Sequence, residues 1–119
     1  MSEHDEQKKV FRWARSMEGF CPSLRMLFAV PNAARRSKHL AAMMLAEGMK
    51  SGVPDIWYPV PNRKYIGLVM ELKFGKNKLI ESQKWWLDAL AAAGWKTEVP
   101  YSGEEAIEFL KSFIDWKGF

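Results

Sequence analysis

A single cysteine, Cys21, leaves no intrachain disulfide and no cysteine-based zinc site open to this 119-residue chain. A catalytic thiol would need a base beside it. The chain has two histidines, His4 and His39, and neither is spaced from Cys21 in a way that suggests one. Cys21 therefore reads as a small buried thiol. No apolar run approaches the ~18 residues of a membrane span. The opening "MSEHDEQKK" lacks the charged-then-apolar pattern of a secretory leader, so a cytoplasmic protein with no membrane partner is expected. Nothing repeats, nothing is of low complexity, and no linker divides the chain. One domain over residues 1–119 is the simplest organisation.

What is present is a moderately apolar chain, 48% hydrophobic and 27% charged, with six Trp, seven Phe and seven Met. That suffices for one core and leaves apolar material for a further contact, such as a homodimer interface. The net charge of +4 and the pI of about 9.3 lean mildly toward a polyanionic partner.

Hydrophobic periodicity orders the elements. Val10, Trp13, Ala14 and Met17 form a stripe at helical spacing, which predicts a helix over 3–18. "LRMLFAV" (Leu24 to Val30) is a strand candidate ended by Pro31-Asn32. "SKHLAAMMLAEG" reads as a helix with Ser37 as N-cap. Asp55 to Val60 and Tyr65 to Phe74 read as two strands. The intervening "PVPNRK" has turn chemistry, so an antiparallel hairpin is expected. A helix over 82–93 closes at Gly94, and Trp95 to Val99 is another strand. "SGEE" (Ser102 to Glu105) is a capping box that opens a last helix, "EEAIEFLKSFIDW". The expected fold is an α/β sandwich around a small mixed sheet.

The hairpin poses a question. Glu71 and Lys73 lie two apart in "YIGLVMELKF" and so share one face of a strand too apolar to be a solvated edge. If the hairpin pairs, Asp55 comes close to Glu71. Two adjacent carboxylates repel and lose hydration. A divalent cation relieves both costs, and a sulfur-free oxygen set suits Mg²⁺ or Mn²⁺. Lys73 beside it would polarise a water or stabilise charge on a phosphate.

The order of motifs resembles a known family. Pro54-Asp55 followed by Glu71-x-Lys73 resembles the PD-(D/E)xK nuclease superfamily. More closely, "VPNAARRS" (Val30 to Ser37), "GVPDIW", "MELK" and "ESQKWWLDALAAAGW" resemble the segments of its VRR-NUC branch in sequence order, nearly end to end. Small stand-alone members of that branch are common in phages and bacteria. The resemblance implies a restriction-endonuclease-like α/β/α sandwich. It implies that Asp55, Glu71 and the backbone carbonyl of Leu72 ligate Mg²⁺ or Mn²⁺, and that Lys73 acts on water and phosphate. It implies that Gln83 supports the site from the following helix. Gln83 also shares a helical stripe with Leu87 and Leu90, and a polar residue on a core-facing stripe needs a partner. The family has a further glutamate on its first helix. Glu3 and Glu6 both qualify, and Glu6 is favoured because it sits just before the apolar stripe. Ser82 carries no weight.

Basic residues cluster at Arg35, Arg36 and Lys38, at Arg63 and Lys64, and at Lys76, Lys78 and Lys84. As a set they look like a surface for the phosphate backbone. Asn32, Arg35, Arg36, Lys38, Lys76 and Lys78 are the candidate DNA contacts. Nothing resembles a base-reading module. The resulting expectation is a metal-dependent, structure-specific DNA endonuclease. By the resemblance it is a homodimer acting on branched DNA such as four-way junctions. The alternative is a non-catalytic DNA-binding module on the same fold, which retention of Asp55, Glu71 and Lys73 disfavours.

Overall fold

The computed structural model describes residues 2–31 and 37–116. The chain runs α1 (Glu3–Met17), a 3₁₀ turn (Pro22–Met26), β1 (Phe28–Ala29), α2 (Lys38–Ala46), β2 (Ile56–Tyr58), β3 (Leu68–Met70), α3 (Glu81–Ala92), β4 (Lys96–Glu98) and α4 (Gly103–Phe113). The sheet has the order β1-β2-β3-β4. β1–β2 and β2–β3 are antiparallel and β3–β4 is parallel, giving the mixed sheet expected. Among the described residues, no helix is long and apolar enough to cross a membrane.

Strand parity divides the layers. Ile56, Tyr58, Leu68 and Met70 point to one side, where they close a core with Val10 and Ala14 of α1 and Ala106, Leu110 and Phe113 of α4. Burying such side chains stabilises by roughly 1.5–3 kcal/mol each. α3 covers the other side at its β4 end and buries Leu87 there. The helix starts are fixed as the sequence suggests. The Ser37 hydroxyl accepts from Leu40 N, and the Ser102 hydroxyl accepts from Glu105 N at 3.0 Å. Glu105 closes its half of the box one residue early, accepting from Tyr101 N rather than Ser102 N. In the β2–β3 connection the Asn62 Oδ1 accepts from both Lys64 N and Tyr65 N at 2.8 Å, which is the expected turn chemistry.

Two readings need correction. Leu24 to Val30 is not one strand. Pro22 at the first turn favours a helical start, and Leu24 N and Leu27 N bond three residues back, to Cys21 O and Leu24 O. Only Phe28 and Ala29 remain for the sheet. The last helix stops at Phe113. Ile114 is extended, and Phe113 and Ile114 are both buried in the core, while Trp116 is exposed.

Candidate active site

Register brings the acidic pair together. Ile56 lies opposite Met70, so one step outward along the two antiparallel strands sets Asp55 opposite Glu71. Both belong to the sheet face that carries Trp57 and Val69. The backbone of Glu71–Lys73 continues the parallel ladder, with Glu71 N donating to Glu98 O and Lys73 N to Pro100 O. The intervening Leu72 N therefore points the other way, and it donates to Asp55 Oδ2 at 3.0 Å. In an extended residue the N–H and C=O point to the same side. The Leu72 carbonyl thus faces the Asp55 side of the strand.

Glu71 and Lys73 are only 3% and 7% exposed. The Gln83 Nε2 donates to Glu71 Oε2 at 3.2 Å, and Lys73 Nζ stands 3.8 Å from the same oxygen. Gln83 is thereby doubly used. Ile80, at the N-cap of α3, has no polar side chain, and Gln83 Oε1 accepts from Ile80 N at 3.0 Å. One amide ties the start of the helix to the buried carboxyl. Burial pushes the Glu71 carboxyl up to about 9. The charge of Asp55 and a hydrogen bond with it add to that shift, Lys73 opposes it, and Glu3 adds a smaller push upward. Burial first, and the neighbouring Asp55 carboxylate second, thus favour the protonated form of Glu71.

The pair opens onto a cavity of about 200 Å³, walled also by Leu45, Lys50, Ile80 and Gln83. A larger cavity of about 420 Å³ lies between Tyr65, Phe109 and Phe113, and its lining includes Lys96 paired with Glu98 at 3.7 Å. Its acids, Glu98 and Asp115, stand among the basic Arg63, Lys64 and Lys96, and it does not include Asp55, Glu71 or Gln83, so volume alone does not locate the chemistry. Gly52 shapes the entrance of the smaller one. Its φ of +85° suits glycine, and a Cβ there would meet Ser82 backbone and side-chain atoms at 2.6–2.7 Å. Ser82, given no weight in the sequence, marks where the "GVPD" segment passes against α3.

Of the two first-helix acids, Glu3 and Glu6, the favoured Glu6 has other partners. Glu6 is 3% exposed, but it is bound elsewhere: Gly103 N donates to its Oε1 at 2.9 Å, and Lys9 Nζ lies 2.9 Å from its Oε2. It caps α4. The bond from Gly103 N, and then Lys9, hold its carboxyl below the usual range. Glu3, one turn earlier, is the first-helix acid whose charge reaches Glu71. The burial of Glu6, though not its partner, was readable in the sequence, since Glu6, Val10 and Ala14 recur every four residues and share the buried face of α1. Glu6→Ala is expected to strand the buried Gly103 N–H and lower stability by about 1–3 kcal/mol. Urea unfolding measures that, and the folded variant should keep wild-type turnover.

Lys38, Lys76 and Lys78 are exposed, the first at the start of α2 and the others in the loop between β3 and α3. Asn32, Arg35 and Arg36 lie outside the described residues. Asp55, Glu71, Lys73 and Gln83 come from three separate segments and are brought to one place; Glu6 is not among them.

The donor set fits a hard divalent cation. Asp55, Glu71 and the Leu72 carbonyl side offer oxygen alone; among the described residues no group of three or more His, Cys, Asp or Glu side chains gathers to hold an ion, so the remaining ligands would be backbone oxygens and water. No curated protein matches the chain. A solved structure described as a VRR-NUC domain protein shares its fold, with a TM-score of 0.81 at 24% identity, covering 98% of this chain and 90% of that one. The sequence pattern of the VRR-NUC domain itself matches residues 2–103. That span takes in Asp55 just before β2, Glu71 and Lys73 just after β3 and the helix carrying Gln83, and on it the chain belongs to the VRR-NUC family of nuclease-type domains.

Proposed function

We propose that the chain is a metal-dependent DNA endonuclease that hydrolyses phosphodiester bonds, with branched DNA such as four-way junctions as its preferred substrate. The observation that carries this reading is the half-buried Asp55 beside the buried Glu71, with Lys73 next to it. Asp55, Glu71 and the Leu72 carbonyl would hold Mg²⁺ or Mn²⁺. When bound, such an ion supplies Lewis-acid polarisation of the phosphate and a water of lowered pKa. Lys73, kept on the same face, positions the attacking water or meets the charge that grows on the phosphate oxygens. Gln83 holds Glu71 in orientation from α3. Glu3, in place of Glu6, is the first-helix acid assigned to the site.

Lys38, Lys76 and Lys78, with Asn32, Arg35 and Arg36, are assigned to the phosphate backbone, which contributes affinity without sequence preference. A homodimer is the proposed form, because two copies related by a two-fold axis present one site to each of two symmetric strands. Trp85, 64% exposed on α3, supports an aromatic anchor for that contact.

Cleavage of a panel of linear, flapped and four-way DNA, with Mg²⁺ and with EDTA, tests the reading. Paired nicks on the four-way substrate, little cutting of linear duplex and none in EDTA are expected. Equal cutting of all three would retain a nuclease and remove the junction preference. Cutting in EDTA would remove the metal.

A further inference from the structure

Phe28 is 45% exposed although it lies in a sheet strand. Its ring is nearly parallel to Trp57, with centroids 6.3 Å apart and planes at 14°. Trp57 in turn meets Trp95 edge to face at 5.1 Å. Register sets Phe28 opposite Trp57, and Trp57 opposite Val69, so these side chains share one sheet face. It is the face of Asp55 and Glu71. Asp55 precedes Trp57 by two residues, and the Trp57 indole donates to Pro54 O at 2.9 Å. The same Pro-Asp segment that presents the acid therefore pins the ring beside it. α3 packs chiefly on β4, which leaves the β1–β2 end of this face with half-open rings.

We infer that Phe28 and Trp57 form a stacking platform for an unpaired base of the DNA substrate, next to the acidic pair. The inference rests on the nuclease reading above. Two residues along a strand span about 7 Å, roughly two stacked base steps, so a nucleotide flanking the phosphate at Asp55 reaches the rings. Bases inside a continuous duplex already cover one another's faces, and only an unpaired base has a π-face to offer. Aromatic rings take any base in this way, which suits a protein with no base-reading module.

A second copy of the chain fits the patch less well. A stable interface takes roughly 800 Å² from each partner. Three aromatic rings bury at most about 150–250 Å² apiece, and these are already partly covered by one another. Their area matches one or two bases.

The test uses the full chain with Phe28→Ala and Phe28→Tyr. One readout is kcat/KM with Mg²⁺ on a duplex carrying an unpaired nucleotide at a branch, set against an uninterrupted duplex. The other is binding, in EDTA, of a single strand containing 2-aminopurine. Phe28→Ala should lower the branched-to-linear ratio about tenfold. It should also weaken single-strand binding and relieve 2-aminopurine quenching, and Phe28→Tyr should restore all three. An unchanged ratio with unchanged single-strand affinity overturns the platform. So does a Phe28→Ala chain that falls to half its mass in light scattering and loses both substrates equally, since the patch is then a contact between copies. Should the wild type cut neither substrate, the nuclease reading fails, and the metal-free binding readout still decides whether the rings hold a base.

Discussion

Asp55→Asn and Glu71→Gln should each reduce DNA cleavage by about 10³-fold or more, to background, while both chains remain folded. The substitutions are chosen to remove charge and keep shape. Asp55 Oδ2 accepts the Leu72 N–H, and an asparagine carbonyl can still accept it. Alanine would leave that N–H without its partner and confuse lost chemistry with lost structure. Glu71 sits among Gln83, Lys73 and Asp55, and glutamine preserves the volume in that buried place. Circular dichroism and urea unfolding check the fold, and initial rates on a four-way substrate check the activity. An isosteric variant that cuts at the wild-type rate would leave the acidic pair without a catalytic role.

The second large effect is a dependence on pH. The Glu71 carboxyl is raised from 4.5 to about 9 by burial and by Asp55. The folded chain therefore binds this proton more tightly than the unfolded chain does. Its stabilising contribution is complete below the unfolded value, near pH 4.5, and is lost as pH rises toward about 9. The metal-free protein should lose stability across that window, with the Tm falling steadily. Below the window Glu6 acts with the opposite sign. Its lowered carboxyl contributes stability that disappears as pH falls through its folded value. A divalent cation must displace the Glu71 proton, so its affinity should rise by up to about tenfold per pH unit over the same range. Thermal melts without metal at several pH values follow the first trend, and Asp55→Asn should narrow its pH window, leaving the part due to burial.

Much of this site was legible because it rests on parity and register. Glu71 and Lys73 had to share a face, and the turn chemistry around Asn62 set the hairpin that put Asp55 opposite Glu71. Ser37, Ser102 and Gly94 marked helix ends by local chemistry alone. What was missed depends on contacts between distant segments or on competing local preferences. The capping role of Glu6 was not legible because its partner, Gly103 N, lies 97 residues away and becomes available only when α4 packs on α1. The apolar run from Leu24 satisfied a strand pattern, but Pro22 had already committed the chain to a 3₁₀ turn, and apolarity by itself does not separate the two. Gly52 against Ser82, and the cross-strand row of Phe28 and Trp57, become visible only once the segments are placed side by side.

We propose that Asp55 and Glu71 form one divalent-cation site that holds a proton when no cation is bound. Calorimetric titration of Mn²⁺ into the intact chain at pH 8, repeated in buffers of different ionisation enthalpy, tests it most directly. The account predicts one Mn²⁺ per chain, close to one proton released on binding, and loss of both in Asp55→Asn. Binding without proton release, or binding that survives in Asp55→Asn, would contradict it.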